Sequence, residues 1–521
     1  MVFVEPFFLF CVLPLALAAF YLVGSGLGRT AALGVLIATS IVFYAPYGLA
    51  PALILATSLV CNFAIGAALS APAVAAPRLR TALLVAGLVF NFFLLAVFKY
   101  LDALHGALFP LAGPVLGLAI PAGISFYTFH QAVFLVDAAA RRPDVTALIG
   151  GAANLREQGR NLARYLAFVG FFPQLVIGPI TYMREFAPQV LAKAFGRFSA
   201  INLQVGITLV VIGLFKKLCI ADPIAAGVDP VFATLQAGHM VAPHQAAFAI
   251  IGYFFQLYFD FSGYSDIAVG IARLFGIRLP QNFDSPLRAV GIADFYRRWH
   301  ITLTRVITLF LFTPLSLWGS RMAIDNNLKG WKRRALAAWL PAMVNFQVIA
   351  LWHAAMKTFL LFGLLHGLWF VIESEIRSSQ WFRAFRARTG ERWRFLAGVG
   401  VTSLLLMVTF ALFRSPSVAV FGQLMASLVG NADAAATAPL KGVQWRLLIG
   451  AALIVYLLPS SYDLLRRYRP AIRTFATACT APAIFQVLWR PTLGWAIFVA
   501  TLAVMVFMRL NLPTPFLYAG F

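Results

Sequence analysis

Apolar runs about as long as a bilayer is thick recur along the whole chain, and they restrict its fold more than any other feature. They lie near residues 5–23, 31–48, 50–70, 81–98, 113–139, 160–182, 200–221, 245–272, 300–318, 336–353, 356–373, 395–413, 444–459 and 492–509. A hydrocarbon core takes about 20 apolar residues per crossing helix. In lipid every backbone N–H and C=O must be paired within its own segment, so such runs are helices. Some, 31–70 among them, read equally as one bent segment or a re-entrant hairpin, which leaves roughly 11–13 spanning or re-entrant helices. Composition agrees: 61% of the 521 residues are hydrophobic and 11% are charged, against roughly a quarter charged in soluble chains. No water-facing surface of ordinary size can be built from that ratio. The expected fold is an all-α polytopic transmembrane bundle, a single domain over 1–521. No sustained repeat supports an inverted-repeat transporter. The opening MVFVEPFFLFCVLPLALAAF carries Glu5 and no basic lead-in, so it reads as the first membrane helix rather than a leader.

Net charge is +23, from 41 Lys and Arg against 18 Asp and Glu. In a soluble protein that excess would suggest nucleic acid. Here the cations sit in short segments between apolar runs, as in a positive-inside topology, and no nucleic-acid partner is expected. Five cations lie between Arg321 and Arg334, six between Arg377 and Arg394, and four between Arg466 and Arg473. These three stretches are expected to be cytoplasmic. The stretch Arg184 to Arg197 is an odd number of segments away from Arg321. It therefore lies outside, or one segment between them is re-entrant, and re-entry near 290–318 is the preferred reading. The four cysteines (Cys11, Cys61, Cys219, Cys479) form no CxxC pair and read as small core residues. With seven dispersed histidines and no cysteine ligand set, no metal site is expected. Walker A, HExxH, GxSxG and Rossmann signatures are absent. Their absence argues against an ATPase, a zinc protease or a lipase of the usual kind.

Ionisable groups within lipid-like sequence are costly and mark candidate functional positions. The hairpin 336–373 holds His353 and His366, with Asn345, Trp352 and Lys357 nearby. A straight helix from Arg334 carries His353 about 28 Å from the basic flank, and His366 about 16 Å from Arg377. A neutral buried imidazole can accept a proton, although hydrogen bonding to a neighbouring helix is the plainer reading of either histidine. Asp260 and Asp266 lie in the aromatic stretch 253–288. Six residues apart, they point to different faces and cannot share one helical metal site; structural ion pairing is the alternative to a role for Asp260 in a substrate passage. Finally, DFYRRWHITLTRV (294–306) places Arg297, Arg298 and His300 together. They read as a cavity floor or as interfacial anchoring by snorkelling arginines.

At these residues the chain resembles the membrane-bound O-acyltransferase family. Within it, the sequence is most similar to the bacterial alginate O-acetylation membrane subunits, and more distantly to the D-alanyl transfer proteins of teichoic acid synthesis. The resemblance runs from MVFVEPFFLFCVLPL through PAGISFYTFHQAVFLVD (121–137), FFPQLVIGPI (171–180), GLFKKLCIAD (213–222) and QLYFDFSGYSDIAVGIARLFGI (256–277). It continues with NFDSPLRA (282–289), FYRRWHITLTR (295–305), LWH and FGLLHG (351–367), FALFR (410–414) and the closing PFLY. It implies a helical bundle pierced by a funnel or tunnel, with N-terminal helices over 1–140, a catalytic core over 160–415 and C-terminal helices over 416–521. The family's Trp-His-Gly motif falls on Trp352 and His353, which implies His353 as the catalytic histidine. Its Arg-Trp-His motif falls on His300, the second catalytic candidate. Ala354 stands where the family usually has Gly, and a methyl group there would narrow close backbone approach or shift the helix break.

The resemblance further implies a multi-pass protein of the bacterial inner membrane with no permanently bound cofactor. Acetyl-CoA or another acyl thioester would be the donor. A hydroxyl of an extracytoplasmic polysaccharide, or a periplasmic esterase-like acetyltransferase partner, would receive the acyl group, within a polysaccharide-modification or export complex. His353 is expected to take the hydroxyl proton and His300 to orient the reacting groups, with Trp352, Arg297, Arg298, Asn345, Asp260 and His366 as candidate tunnel residues. Two rival readings come from other classes. One is a proton-coupled transporter, since buried charges among many helices fit that too; the other is a catalytically silent scaffold.

Overall fold

The computed structural model describes residues 2–71, 76–109, 115, 117, 120–149, 154–430, 442–472, 485–511 and 516–517. Arg473, Cys479, and Pro515 and Tyr518 of the closing PFLY lie outside the described residues. Among those described, nine helices are long and apolar enough to cross a membrane, and three shorter ones are apolar as well. The protein is an all-α, multi-pass membrane protein.

The first four spans are α1 (Phe8–Gly26), α2 (Arg29–Tyr44), α3 (Leu49–Ser70) and α4 (Pro77–Leu108). Runs 31–48 and 50–70 are thus two helices, parted at Gly48, whose φ of +100° only glycine adopts without strain. These spans expose Leu15, Leu22, Leu53, Val89 and Phe93 outward, as lipid permits and water does not. Their polar residues turn inward. Asn62 donates to Gln131 at 2.7 Å and Asn91 donates to Asn62 at 2.5 Å, which ties α3 and α4 to α5 (Ile124–Ala139). Interhelical amide bonds of this kind hold helices together where no hydrophobic driving force exists.

The run 160–182 departs from the expected span. The described helix is Leu155–Val169, and a short turn, Phe172–Leu175, follows it. Pro173 and Pro179 interrupt the FFPQLVIGPI stretch, and at Gly178 a Cβ would meet the Pro173 carbonyl at 2.2 Å. The segment is buried, irregular backbone inside protein, the circumstance in which membranes tolerate it.

The pillar of the bundle is α8 (Pro243–Leu274), buried over nearly its whole length. Against it lie α6 (Ala200–Phe215) and α7 (Asp222–Gln236), joined by a π-helical turn, Lys216–Ala221. A Cβ at Gly213 would sit 2.6 Å from the Gly263 carbonyl, so the two backbones meet where neither carries a side chain. The π turn delivers two adjacent lysines into the interior. Lys216 pairs with Asp266 at 2.6 Å, and Lys217 with Asp260 at 2.7 Å and Asp222 at 2.8 Å. Asp260 also accepts from the Leu517 amide at 3.0 Å.

After α8 a largely buried stretch with one 3-10 turn, Pro286–Arg288, leads to α9 (Ile292–Arg298) and then to α10 (Ile301–Asp325), α11 (Gly330–His353), α12 (Lys357–Ser378) and α13 (Glu391–Arg414). Two shorter apolar helices, Gly442–Leu457 and Leu493–Phe507, lie further along the chain. Two of the basic stretches, Arg321–Arg334 and Arg377–Arg394, meet at one end of α12. Glu373 near the end of α12 accepts from Ile292 N and pairs with Arg377, and Glu375 pairs with Arg334. Ile292, at the start of α9, and Arg334, near the start of α11, are therefore both tied to the same end of α12. Gln189 exchanges hydrogen bonds with the backbone of Arg278 at 2.8 and 2.9 Å, which joins the Arg184–Arg197 stretch to the residues that follow α8. The 279–281 backbone bridges to Ile472, beside Arg466 and Arg469.

Candidate active site

His300 sits at the junction of α9 and α10 with φ of +43°, a left-handed conformation that costs a non-glycine residue about 1–3 kcal/mol. The surrounding bonds hold it there. Ile301 N donates to the Asn282 carbonyl at 3.0 Å. The Asn282 side-chain oxygen receives the Thr302 amide at 3.4 Å and the Thr302 hydroxyl at 3.0 Å. The same oxygen lies 3.0 Å from His300 Nδ1. An oxygen that accepts from a backbone N–H is a carbonyl, so Nδ1 is the protonated nitrogen and the lone pair of a neutral ring lies on Nε2. Asn282 is itself anchored through Nδ2 to Ser265 on α8 at 3.2 Å.

His353 is the last residue of α11. The helix stops because Ala354 turns extended, at φ −163° and ψ 154°. Any residue adopts that conformation, so alanine in place of glycine introduces no backbone strain. The orphan carbonyls of the final turn find partners on α4. Lys99 Nζ donates to the Trp352 carbonyl, and Tyr100 Oη donates to the Leu351 carbonyl at 2.9 Å. Lys99 also lies 5.1 Å from the Trp352 ring centroid, within cation–π range. The imidazole of His353 is enclosed by Trp352 at 4.7 Å, by Phe413 of α13 edge-on at 4.9 Å and by Phe359 of α12 at 6.0 Å.

The two histidines, 53 residues apart in sequence, line one interior cavity together with Tyr296, Trp299, Thr304 and Phe413. Its volume is about 30 Å³, room for a water or two. His300 is 3% and His353 6% exposed. Trp352 lies against both rings, 6.1 Å from that of His300.

The remaining candidates divide. His366 is one step back from the cavity, its Nδ1 2.9 Å from the hydroxyl of Tyr296, which does line it. Arg298 pairs with Asp294 at 3.0 Å and reaches the Asp284 carbonyl, whereas the Arg297 side chain is 64% exposed. Neither arginine lines the cavity, nor do Asn345 and Asp260, the latter engaged with Lys217. Sequence reading missed Lys99, Tyr100 and Tyr296 and gave Asn282 no role. The one available signal was Lys99, a lone cation at the end of the apolar run 81–98.

Residues 85–316 match the family model described as MBOAT, membrane-bound O-acyltransferase family. The chain is 34% identical over 347 residues to the peptidoglycan O-acetyltransferase of Helicobacter pylori, covering 64% of this chain and 62% of that protein. It is 30% identical over 500 residues to the probable alginate O-acetylase AlgI of Pseudomonas aeruginosa, covering 92% of this chain and 85% of that one. A teichoic acid D-alanyltransferase of Streptococcus thermophilus is 26% identical over 263 residues, 48% of this chain and 61% of its own length. With two buried imidazoles facing one cavity and relatives of this extent, the chain belongs to the membrane-bound O-acyltransferase family and is an acyltransferase.

Proposed function

We propose that this protein moves an acetyl group from a cytoplasmic thioester to a hydroxyl on the far side of a bacterial inner membrane. The acceptor is a polysaccharide or a periplasmic acyl-carrying partner. The observation that carries this reading is the placement of His300 and His353 on one enclosed cavity inside the bundle.

The acceptor hydroxyl loses its proton to His353 as its oxygen attacks the thioester carbonyl. The carbon–sulfur bond then breaks, and the leaving sulfur takes the proton from the imidazolium and departs as the free thiol, so the histidine returns neutral. General-base assistance of this kind is typically worth about 10²–10⁴ in rate. His300, with Nδ1 held by Asn282, presents Nε2 to the reacting groups and orients them. The aromatic box around His353 excludes bulk water, which would otherwise compete for the thioester. The cationic end of the molecule, where the basic stretches gather, is the cytoplasmic side. Relatives whose names specify peptidoglycan and alginate O-acetylation support acetyl as the transferred group.

The test is His353→Ala in membrane vesicles supplied with labelled acetyl-CoA and an acceptor polysaccharide. Loss of labelled product by about 10²-fold or more, with normal expression, is the expected result. Undiminished labelling would refute the assignment.

A further inference from the structure

Between α6 and the Leu493–Phe507 helix the bundle leaves a cleft of about 480 Å³. Both helices start at the same end of the molecule. The ring of Phe198, just before α6, lies 5.5 Å from that of Tyr21, whose hydroxyl donates to the Leu274 carbonyl at the end of α8. Beside Leu274, Arg273 bonds the Tyr468 carbonyl at 3.3 Å, and the Tyr468 ring lies 5.2 Å from Trp489. Trp489 N donates to the Leu464 carbonyl at 2.9 Å. The stretch that enters the Leu493–Phe507 helix is therefore fastened next to Arg466, Arg467 and Arg469.

The cleft is polar at this end and apolar beyond it. Trp489, Arg490 and Thr492 form its mouth, and Ile207, Val211 and Val499 line its depth. Ala496, Ala500 and Ala503 fall on one face of the helix, where their short side chains leave the space open. From Leu493 to Ala503 the helix rises about 15 Å, half of a hydrocarbon core of about 30 Å. The cleft is thus one leaflet deep, which matches a single acyl tail, whereas a partner's spanning helix would need twice that. The mouth suits an anion. Arg490 is the one charged residue lining the cleft, it is exposed, and among the described residues it pairs with no carboxylate. Thr492 stands at the N-cap without a side-chain cap bond, so the first-turn N–H groups lack a side-chain acceptor at a helix end that favours phosphate. Trp489 is 4% exposed, yet its Nε1 has no hydrogen-bond partner among the described residues, and a buried indole N–H usually finds one.

We propose that this cleft holds one acyl tail of an anionic phospholipid from the leaflet on the basic side, with the lipid phosphate on Arg490 and the start of the helix. Tryptophan at the mouth sits at headgroup level, and basic pockets between spanning helices recruit anionic headgroups. The site shares no lining residue with the histidine cavity.

The test titrates full-length protein in detergent with phosphatidylglycerol and with phosphatidylcholine of the same tails, and counts bound lipid by native mass spectrometry. Wild type should hold one phosphatidylglycerol about fivefold more tightly than phosphatidylcholine. Arg490→Gln should abolish that preference by weakening phosphatidylglycerol alone. Ala500→Leu, which fills the cleft from an exposed position, should weaken both lipids. An unchanged thermal midpoint in lipid-free detergent establishes folding of each variant. A phosphatidylglycerol with a photoreactive tail should label residues 207–211 and 496–503. Equal preference in wild type and Arg490→Gln overturns the proposal, as does undiminished lipid binding by Ala500→Leu. Glycerol 3-phosphate competing as well as the whole lipid would make the mouth a plain anion site, and a copurifying protein cross-linked at the cleft would make it a subunit interface. Either result also refutes the lipid.

Discussion

Two buried polar clusters draw on α8, one through Asp260 and Asp266 and the other through Ser265, which anchors Asn282, and they are built on opposite principles. In one, Lys216 and Lys217 meet Asp266, Asp260 and Asp222, with Ser461 and the Leu517 amide taking further oxygen positions. Each lysine meets at least one carboxylate. In the other, neutral rings surround a space. His300 and His353 are held from behind, by Asn282 and by the end of α11, and their ring edges line a cavity. Both clusters read as functional candidates in sequence. The difference teaches that a buried ionisable group whose valences are met by protein builds the fold, whereas one supported from behind and facing space is available for chemistry.

The largest expected effect that tests this contrast is on stability. Lys217→Met leaves Asp260 and Asp222 buried without their cation, at a cost of about 3–5 kcal/mol. The thermal midpoint of the solubilised protein should fall steeply, while transfer per folded molecule is retained. A stable but inactive Lys217→Met would move that cluster into the chemistry. Next comes Asn282→Ala, which frees the His300 ring and should slow transfer about tenfold through loss of hydrogen bonding worth about 1–3 kcal/mol. Asn282→Asp, which keeps the acceptor oxygen, should restore much of the rate. Equal loss in both would show that Asn282 serves packing alone. A smaller effect is expected of Tyr100→Phe, which deletes one bond to the end of α11, worth about 0.5–1.5 kcal/mol. It should lower the rate a few-fold, with little change in thermal midpoint. Smallest of all, Ala354→Gly should alter the rate less than about twofold, because the extended backbone there asks for no glycine. A large gain would mean that the methyl group obstructs the acceptor.

How much of this was legible beforehand follows from how far each contact reaches along the chain. The all-α membrane fold was written in the apolar runs, since lipid leaves the backbone few alternatives. His300 and His353 stood out as imidazoles in apolar sequence beside tryptophan, and the resemblance gave them roles. Their supports were hidden. Lys99 meets Trp352 across 253 residues, and no local pattern encodes such a pairing. Asn282 acts on His300 across 18 residues that break into loop, a 3-10 turn and the short α9, too short a run of any one kind for periodicity to place the two together. The lysine pair at 216–217 was visible, but its partner Asp260 lies 43 residues on, so ion pairing could be named only as an alternative. The run 160–182 misled because its apolar content is that of a span, while its prolines decide the backbone.

The carboxylates at the end of α12 have a mechanical consequence. Glu373 holds the foot of the segment that carries His300, and Glu375 holds the foot of α11, the helix that carries His353. The end of the α11–α12 pair away from these contacts is the turn at residues 354–356, where α11 unwinds before α12 begins, and compliance is expected there. A spin label on each side of that turn should report motion on acceptor binding, while a pair at the clamped base stays still.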